Sequence, residues 1–517
     1  MDLGSAFDAA VARAPGALAF VDGEHRRDFV GWQVDIRRLA GGLAARGIGR
    51  GDHVLALMSN RYEMASLYWA AQMLGAVFTP FNWRASADEI AYVIEDAEAR
   101  VVVFDAGAAD AARAAVVQTG FDPDAVIAVD GGAETSFASL LDAAPVAGPV
   151  GAAESDICLM LYTSGTTGRP KGVPRSHRAE RTAALSCIAN LRYRPRDASL
   201  GVMPLFHTMG IRILLCGVML NGAFIAMRAF DAGKALKLIG DERIAALFLV
   251  PTLFHDMLAH PDCAKGDFSP VTNVAYAGMA MTGALERRCR EVLRPEIFAN
   301  YYGSSEIFTF TLCDHLDRKP GCAGPAGINQ IIRVVTADPE GKATPDDVLP
   351  PGEVGEVIAT MQSPEAFTGY WKRPDADARA IRGGWYFTGD LGYVDEDGAL
   401  FLSGRIDDMI ISGGENIHPE EVEDTLADCA LVRQAAVVGL PDERFGQLVT
   451  AFIEPAGPET SAGALDAHCR ASALARFKRP RAYVFVAALP RSASGKLLRR
   501  LLRDGAYETL TDHDITL

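Results

Sequence analysis

The segment LYTSGTTGRPKG, residues 161–172, places glycines, hydroxyl side chains and a lysine directly behind the apolar run ICLM. Small residues allow several backbone N–H groups to point at one anion, and the hydroxyls and the lysine add donors. The spacing is not that of a G-x-x-x-x-G-K-[ST] nucleotide loop, because Gly172 stands where that motif has its hydroxyl. A mobile surface turn would need fewer donors. The composition therefore predicts a phosphate-binding loop, whose members are Thr163, Ser164, Gly165, Thr166, Thr167, Gly168 and Lys171.

Two further motifs place carboxylates behind strand-like segments. In YYGSSE, residues 301–306, Glu306 follows two serines, and a lone carboxylate beside hydroxyls in a triphosphate site suits Mg²⁺, which takes few protein oxygens. In GWYFTGDLG, residues 384–392, Asp390 offers the acceptor oxygens that a ribose diol needs, and Arg405 follows in GRIDD. Each motif alone is equally compatible with a turn that exposes a carboxylate.

Two C-terminal stretches complete the set of candidate residues. The Gly413–Gly414 pair precedes a helix start at Pro419 and leaves room for another chain or a ligand to pass closely. Residues 477–500 include no acidic residue and seven basic ones, which indicates a polyanion site in an acidic protein. A solvated basic strand edge is the alternative. The seven are Lys478, Arg479, Arg481, Arg491, Lys496, Arg499 and Arg500. Lys496 follows the small-residue segment SASG, which predicts a loop that could carry its ammonium into a distant site.

The composition limits the class of protein. A chain of 517 residues is too long for one ordinary hydrophobic core, so we expect two or three domains. A formal net charge of −16 and a pI near 5.1 argue against general nucleic-acid binding. The nine cysteines lack paired spacing, which indicates reduced thiols in a cytoplasmic protein. The N-terminal residues show no signal-peptide pattern, and the apolar run ILLCGVML, residues 213–220, is too short for a membrane span, so we expect no membrane insertion.

These motifs require a scaffold of alternating strands and helices. Residues 326–404 show short strand patterns separated by Gly, Pro and Asp turns, which predict a small, mostly antiparallel β unit. In the sequence before them, short apolar runs alternate with helical patterns and predict α/β layers with largely parallel sheets. Beyond Arg405, the sequence again shows a strand, helix, strand pattern. We therefore place a domain boundary near Asp407, between residues 1–405 and 406–517.

Taken in order, YTSGTTGRPKG, YYGSSE, GWYFTGD, GRIDDMIISGGENIHPEEVE and PRSASGK resemble the motifs of the adenylate-forming superfamily of acyl-CoA synthetases, peptide-synthetase adenylation domains and luciferases. The C-terminal elements GENIHPEEVE, GLPDERFGQ and FKRPR are most similar to bacterial aryl-CoA ligases. The resemblance implies an α/β fold with a large N-terminal domain of two α/β subdomains and a small β-barrel-like unit. A small, mobile α+β C-terminal domain would follow, with its hinge at Asp407.

The resemblance also implies the reaction and its cosubstrates. An ATP-dependent ligase of this kind converts a carboxylic acid to an acyl-adenylate with release of pyrophosphate. It then forms a thioester with coenzyme A (CoA) and releases AMP. The first step is needed because oxide is a poor leaving group, whereas the phosphate of an adenylate leaves easily. Mg²⁺ is implied as the metal that stabilises the phosphate charges.

The resemblance assigns roles to the motif residues. It implies that the phosphate loop holds ATP, that Glu306 binds Mg²⁺, that Ser305 contacts the AMP phosphate, and that Asp390 and Arg405 bind ribose. Lys496 would bridge the carboxylate and the α-phosphate. The adenine slot and the adjoining AMP contacts would be formed by Gly278, Met279, Ala280, Tyr302, Gly303 and Ser304. CoA would be bound by Gly413, Gly414, Phe445, Phe477, Lys478, Arg479 and Arg481.

Two positions depart from the family pattern. Phe445 replaces the tryptophan of close relatives, which keeps an aromatic stacking face and weakens the nucleotide contact. Ser304 and Ser305 replace the commoner threonines and keep the hydroxyls, so we expect activity to survive.

The acyl pocket is implied by the same resemblance. Its candidate walls are His207, Thr208, Met209, Phe248, Ala277, Tyr301, Phe308 and Thr309. His207 occupies the position that gates or floors the pocket, so we group it with Lys496 and Glu306 as catalytic. No lysine or arginine is among the walls, which disfavours dicarboxylic acids, and apolar, aromatic walls favour a compact benzoate-like or alicyclic acid. For any one of these residues, a role in core packing is the alternative to a role in the pocket.

Other functions share the first half-reaction. A short- or medium-chain acyl-CoA synthetase and an enzyme that loads a separate carrier protein would use the same motifs, although the FKRPR cations favour CoA. We do not expect a luciferase-like oxygenase, because the chain ends in ITL and not in a peroxisomal S-K-L signal. The complete motif set disfavours an inactive nucleotide-binding protein. A homodimer is one option for the assembly.

Overall fold

The chain folds as a mixed α/β protein. The computed structural model describes residues 1–132, 135–163, 169–338, 341–491, 497–510 and 515–516. The α-helices are α1 (Leu3–Arg13), α2 (Phe29–Ala44), α3 (Tyr62–Leu74), α4 (Ala87–Asp96), α5 (Ala109–Thr119), α6 (Phe137–Leu140), α7 (His177–Leu191), α8 (Thr208–Leu220), α9 (Ala232–Asp241), α10 (Pro251–Ala259), α11 (Gly283–Leu293), α12 (Pro374–Ala380), α13 (Pro419–Ala427), α14 (Ala462–Ala471) and α15 (Arg499–Arg503). Short 3₁₀-helices cover Pro123–Ala125, Pro261–Lys265 and Ile406–Asp408.

The strands in the first part of the chain are β1 (Leu18–Asp22), β2 (His25–Asp28), β3 (His53–Leu57), β4 (Val77–Pro80), β5 (Ala99–Phe104), β6 (Val126–Ala128), β7 (Thr135–Ser136), β8 (Ile157–Thr163), β9 (Lys171–Ser176), β10 (Ala198–Gly201), β11 (Phe224–Ala226), β12 (Ile244–Leu249), β13 (Asn273–Tyr276), β14 (Ile297–Tyr302) and β15 (Thr311–Cys313). They are followed by β16 (Cys322–Gly324), β17 (Ile332–Val335), β18 (Gly355–Thr360), β19 (Ile381–Arg382), β20 (Trp385–Val394), β21 (Leu400–Arg405), β22 (Ile410–Ser412), β23 (Glu415–Ile417), β24 (Val432–Asp442), β25 (Gly446–Pro455), β26 (Ala482–Phe485) and β27 (Ile515–Thr516).

Two largely parallel sheets form most of the N-terminal domain. Their strand orders are β7-β6-β5-β3-β4-β8-β9 and β15-β14-β13-β12-β10-β11-β1-β2. Neighbours run parallel except in the pairs β8–β9, β14–β15 and β1–β2. The apolar runs that predict strands occupy β3, β4, β5 and β11 to β14, where their side chains are almost entirely buried. The predicted α/β class is therefore confirmed.

The later strands form two further sheets. The order β16-β21-β20-β18-β17, with β19 on β20, is antiparallel throughout and matches the predicted β unit. The last sheet has the order β23-β22-β25-β26-β27, with β24 on β25. Its apolar core, which includes Val422, Leu465 and Tyr483, is separate from the core of the large domain. The chain thus has a large N-terminal and a smaller C-terminal domain, while the boundary near Asp407 and the mobility of the small domain stay predictions.

The apolar run ILLCGVML lies inside α8. Leu214 and Leu215 have no solvent exposure, as expected for a core helix. Within the described ranges of the chain, no helix combines the length and the apolar character needed to cross a membrane.

A fully buried ionic network joins β9 to α7 and α8. The side chains of Arg175 in β9, Glu180 in α7 and Arg212 in α8 have no solvent exposure. Glu180 Oε1 accepts hydrogen bonds from Arg175 Nε at 2.9 Å and from Arg212 Nη2 at 3.1 Å. Burial alone would raise the pKa of Glu180, but the charges of Arg212 and Arg175 outweigh it and hold that pKa below its usual value. The carboxylate is therefore the shared counter-ion of two guanidinium groups.

Replacing Glu180 by alanine should strongly destabilise the protein, because two buried guanidinium groups would lose their counter-charge. We expect a loss of about 3–5 kcal/mol in the free energy of unfolding. The control Asp241→Ala removes the exposed ion pair between Lys237 and Asp241 on α9 and should cost less than about 0.5 kcal/mol. Denaturant unfolding followed by circular dichroism measures both. Equal unfolding midpoints for the two variants would contradict this role of the network.

Candidate active site

The candidate phosphate loop connects two antiparallel strands. Thr163 is the last residue of β8, Lys171 is the first residue of β9, and the two are direct partners in the strand pairing. The ladder between β8 and β9 therefore brings the two ends of the loop together. The remaining predicted members of the loop lie outside the described residues; they are Ser164, Gly165, Thr166, Thr167 and Gly168.

Lys171 packs against an aromatic ring. Its Nζ lies 4.1 Å from the ring centroid of Tyr370, which is a cation–π distance. Burial lowers the pKa of Lys171, and the charge of Glu306 acts in the opposite direction. A lysine that has lost much of its hydration in this way gains strongly from an anionic ligand.

Glu306 is held by its side chain and by its backbone. It is 6% exposed, and its Oε1 accepts a hydrogen bond from the Tyr370 hydroxyl at 2.6 Å. Its carbonyl oxygen accepts hydrogen bonds from Arg175 Nη1 at 2.6 Å and from the Phe367 N–H at 2.9 Å. The buried ionic network therefore extends directly to the candidate metal ligand.

The residues before Glu306 shape a tight turn. Ser304 Oγ accepts hydrogen bonds from the N–H groups of Glu306 at 3.2 Å and Ile307 at 3.3 Å, while Ser305 is partly exposed beside it. A Cβ atom on Gly303 would overlap the carbonyl oxygen of Phe308. The chain needs glycine here because it doubles back on itself.

Tyr302, Asp390 and Arg405 form one connected group. Asp390 and Arg405 are partners in the pairing of β20 with β21, and Arg405 Nη1 donates to Asp390 Oδ1. The Tyr302 hydroxyl donates to Asp390 Oδ2 at 2.6 Å. Burial, together with the Asp390 carboxylate, raises the pKa of Tyr302, so the phenol stays protonated at neutral pH. The structure thus brings together three residues that the sequence predicts for nucleotide binding.

The predicted adenine loop leaves the same edge of its sheet as the YYGSSE turn. Gly278, Met279 and Ala280 follow β13, which pairs in parallel with β14, the strand that ends at Tyr302. Gly278 has φ +87°, a left-handed conformation that glycine adopts readily. Because parallel neighbours end at the same edge, this loop and the YYGSSE turn lie side by side.

Aromatic residues from adjacent strands form one side of the predicted acyl pocket. The rings of Phe248 in β12 and Tyr301 in β14 have centroids 5.6 Å apart, and those of Tyr301 and Phe308 are 5.2 Å apart. The Tyr301 hydroxyl lies 2.6 Å from Thr309 Oγ1. Ala277 follows β13, between the strands that carry the first two rings. The four residues with larger side chains are almost completely buried.

The start of α8 contributes the other predicted pocket residues. His207 caps the helix, and its Nδ1 accepts a hydrogen bond from the Met209 N–H at 3.3 Å. Thr208 Oγ1 is buried and has no hydrogen-bond partner within the described residues. Further along α8, the guanidinium of Arg212 lies 4.4 Å from the ring centroid of Phe308. The predicted pocket wall therefore contacts an arginine that sequence reasoning did not place there, and this arginine is paired with Glu180.

The predicted CoA residues Gly413, Gly414 and Phe445 are neighbours. The two glycines form the turn between β22 and β23 with φ +61° and +85°. The Gly413 N–H donates to the Phe445 carbonyl oxygen at 2.8 Å. The Arg481 guanidinium lies 4.6 Å from the ring centroid of Phe445. An aromatic face, a cation and a turn without side chains thus adjoin each other.

Other residues of the basic stretch are paired with carboxylates. Lys478 Nζ lies 2.6 Å from Glu421 Oε2, and Arg479 Nη1 lies 3.1 Å from Asp466 Oδ1. Phe477 is 42% exposed. The stretch is therefore less positive than its sequence alone indicates.

Lys496 lies outside the described residues. The residues on either side of its segment, Arg491 and Leu497, form an isolated antiparallel bridge. Its role as the bridging lysine stays a prediction.

The predicted hinge residue lies between the antiparallel sheet that contains β21 and the last sheet, which contains β22. Asp407 belongs to the 3₁₀-helix Ile406–Asp408, between β21 and β22, and its carbonyl oxygen accepts a hydrogen bond from Arg503 Nη1 at 3.0 Å. Gly404 has φ +123°, and a Cβ atom there would overlap the Glu420 carboxylate of α13. Helix α13 therefore approaches β21 through a position without a side chain.

Glu420 shares one arginine with two other carboxylates. Arg499 Nη2 lies 3.2 Å from Glu420 Oε1 and 2.7 Å from Glu423 Oε2, and Arg499 Nη1 lies 3.4 Å from Asp408 Oδ2. Burial raises the pKa of Glu420 to about 7, although Arg499 opposes that shift.

Sequence reasoning missed Tyr370 and Arg175. In FTGYWKRP the tyrosine is one of several aromatic residues before a polar run, a pattern equally typical of core packing near a turn. Arg175 lies in a strand just before a helix start, where an arginine is usually solvated. Neither local pattern shows that both residues contact Glu306.

Known proteins are similar to this chain over most of its length. The sequence model described as AMP-binding enzyme matches residues 7–371, and that described as AMP-binding enzyme C-terminal domain matches residues 421–496. The 4-chlorobenzoate–CoA ligase of Arthrobacter sp is 35% identical over 498 residues, which cover 95% of this chain and 93% of the relative. The fatty acid–acyl-carrier-protein ligase ScoC of Streptomyces coeruleorubidus is 34% identical over 480 residues, which cover 90% and 89%. The crystal structure of the anthranilate CoA ligase AuaEII in complex with anthranoyl-AMP has a TM-score of 0.89 and 26% sequence identity, and the match covers 98% of this chain and 97% of that one.

The partly buried carboxyl of Glu420 should make the stability of the protein depend on pH. Because burial raises its pKa to about 7, the folded chain still holds a proton that the unfolded chain has released, so stability should fall as the pH rises from about 4.5 to about 7. Glu420→Gln should flatten this part of the profile. Glu421→Gln, on the next residue of α13, is the control and should keep the slope. Thermal unfolding between about pH 5 and pH 8 measures the effect, and identical profiles for Glu420→Gln and the wild type would contradict it.

Proposed function

The chain belongs to the AMP-binding enzyme family of acid–thiol ligases, and from this membership we propose that it joins a compact ring carboxylic acid to CoA through an acyl-adenylate. The observation that carries the choice of acid is the wall formed by Phe248, Tyr301 and Phe308, whose neighbouring rings lie 5.2 to 5.6 Å apart. Flat aromatic walls suit a benzoate-like or alicyclic acid better than a long flexible chain. Two of the similar proteins, a 4-chlorobenzoate ligase and an anthranilate ligase, are named for ring acids, which supports the proposal.

In the first half-reaction the carboxylate attacks the α-phosphorus of ATP and pyrophosphate leaves. We assign Lys171 and the loop hydroxyls to the outer phosphates, where fixed cations and donors stabilise the departing charge. Asp390 would accept hydrogen bonds from the ribose hydroxyls. A carboxylate offers about four acceptor positions, and Tyr302 and Arg405 occupy one on each oxygen, so acceptor capacity remains. Lys496 would neutralise charge between the attacking oxygen and the α-phosphate.

Mg²⁺ fits the site through its donor set. Glu306 is a single buried carboxylate, and the part of the chain that the structure describes contains no group of three or more His, Cys, Asp or Glu side chains able to hold a metal. In phosphate sites Mg²⁺ takes one or two carboxylates and completes its shell with phosphate and water oxygens, so Glu306 meets the requirement. When bound, the metal would stabilise negative charge on the phosphates.

In the second half-reaction the CoA thiol attacks the adenylate carbonyl and AMP leaves. We assign the Gly413–Gly414 turn to the passage of the pantetheine arm, because a turn without side chains leaves room for it. Phe445 would stack on the CoA adenine, with Phe477 nearby. The basic residues Lys478, Arg479 and Arg481 would face the CoA phosphates. Arg481, whose guanidinium lies 4.6 Å from the ring centroid of Phe445, would contribute to both contacts.

A carrier protein is the second candidate acceptor. The relative ScoC is named as a fatty acid–acyl-carrier-protein ligase and matches most of the chain at 34% identity. A carrier protein would present a thiol to the same adenylate, so the first half-reaction and its residues would be unchanged. We place the enzyme in the cytoplasm, where thiols stay reduced, and a homodimer is one option for its assembly.

The choice of acid can be tested by pyrophosphate release from MgATP with benzoates, cinnamates, alicyclic acids and short to medium fatty acids, each with and without CoA. We expect kcat/KM for the best ring acid to exceed that for hexanoate by at least about tenfold, because the aromatic walls favour a flat substrate. Addition of CoA should convert the adenylate to thioester and AMP. Faster turnover of the fatty acids would contradict the ring-acid proposal, and thioester formation with a carrier protein only would contradict the choice of CoA.

Lys496→Ala should separate the two half-reactions. We expect pyrophosphate release to fall by about 10²–10³-fold, the usual cost of removing one group that stabilises transition-state charge. The same variant should still convert a supplied acyl-adenylate to thioester at a rate near that of the wild type. Loss of both half-reactions would contradict the role assigned to Lys496.

A further inference from the structure

The segment of residues 366–371 is attached to the turn that carries Glu306. Ala366 forms an antiparallel bridge with Ile307. The Phe367 N–H donates to the Glu306 carbonyl oxygen at 2.9 Å. The start of the segment is therefore fixed relative to the candidate metal ligand.

The end of the same segment is attached to the strand that carries Lys171. The Trp371 N–H donates to the carbonyl oxygen of Gly172 at 2.9 Å, and Trp371 Nε1 donates to the Asp96 carbonyl oxygen at 2.9 Å. A Cβ atom on Gly172 would lie 3.0 Å from Trp371 Cβ, so the two backbones approach closely. The segment thus joins two loops that are far apart in the sequence.

Tyr370 lies between the two charged groups that these loops carry. Its hydroxyl donates to Glu306 Oε1 at 2.6 Å, and its ring centroid is 4.1 Å from Lys171 Nζ. Its N–H donates to Asp377 Oδ1 at 2.7 Å, which fixes the backbone at the start of α12. One side chain therefore contacts both the candidate metal ligand and the candidate phosphate ligand.

We infer that Tyr370 is a positioning residue for MgATP: its hydroxyl orients the Glu306 carboxylate for Mg²⁺, and its ring orients the Lys171 ammonium for the phosphates. The inference rests on the proposed function. The hydroxyl occupies one of about four acceptor positions of the carboxylate and leaves the others for a metal. The cation–π contact is weaker than a charged hydrogen bond to phosphate, so the lysine can transfer from the ring to the ligand.

Core packing alone would require only the ring of Tyr370. Phe367 meets that ring edge to face, with centroids 5.0 Å apart, and a phenylalanine at position 370 would keep this contact. Phenylalanine would lose the hydrogen bond that the Tyr370 hydroxyl donates to Glu306 Oε1. The hydroxyl is therefore the group whose removal distinguishes a positioning role from packing.

Tyr370→Phe tests the hydroxyl, with ATP binding to the full-length protein measured by calorimetry at a series of Mg²⁺ concentrations. We expect the Mg²⁺ concentration for half-maximal enhancement of ATP binding to rise about tenfold, the lower end of the loss seen when a group that orients a metal ligand is removed. ATP affinity in EDTA should stay within about twofold, because the ring still contacts Lys171. Tyr370→Leu removes the ring as well and should weaken ATP binding in EDTA by about fivefold.

Tyr386→Phe is the matched control, because it removes a hydroxyl from the same buried cluster, 3.4 Å from that of Tyr370. It should leave both titrations unchanged. In a Glu306→Gln background, Tyr370→Phe should have no further effect on the Mg²⁺ dependence, since the oriented carboxylate is already gone. In steady-state assays Tyr370→Phe should raise KM for ATP and leave KM for the acid unchanged.

The outcomes separate the inference from the proposed function. Tyr370 is a packing residue if Tyr370→Phe shows the same Mg²⁺ dependence of ATP binding as the wild type, or if Tyr386→Phe has the same effect as Tyr370→Phe. Either result overturns the inference, while the ligase proposal stands. If the wild-type protein binds no ATP at any Mg²⁺ concentration, the proposed function itself fails. A tenfold Mg²⁺ shift confined to the Tyr370 variants supports the positioning role.

Discussion

The shared counter-ion Glu180, between Arg175 and Arg212, is the interaction on which the rest of the site depends. Three charged side chains without solvent exposure cannot separate without leaving one of them unpaired, at a cost of several kcal/mol. Strand β9 and helices α7 and α8 must therefore keep one relative arrangement. Since Arg175 also donates to the Glu306 carbonyl oxygen, a contact across 131 positions of the sequence, the same constraint extends to the candidate metal ligand.

The constraint acts on both sides of the proposed reacting centre. On the phosphate side, β9 begins at Lys171 and pairs with the strand that leads into the loop. On the acyl side, α8 begins behind His207, and Arg212 packs on the ring of Phe308. A carboxylate and an α-phosphorus react quickly only when they are held close and aligned. In the proposed reaction, one buried network that fixes both sides would supply such alignment before any ligand binds.

Much of the fold could be predicted from the sequence, because its signals are local. Strands such as β3 and β12 are continuous apolar runs, and Asp390 and Arg405 meet because they lie on neighbouring strands of one antiparallel sheet. The contacts of Tyr370 and Arg175 with Glu306 could not be predicted, because they span 64 and 131 positions and depend on tertiary packing. The positive charge of residues 477–500 was overestimated from the sequence for a related reason. A sequence shows how many charges it contains and does not show that Lys478 meets a carboxylate of helix α13.

The missing side chain at Gly404 sets how closely helix α13 can approach β21. The Glu420 carboxylate of α13 occupies the volume that a methyl group would need, so helix and strand are in contact without any intervening side chain. The movement that the sequence predicts for the small domain would separate this carboxylate from Gly404 and open the space beside β21 to water.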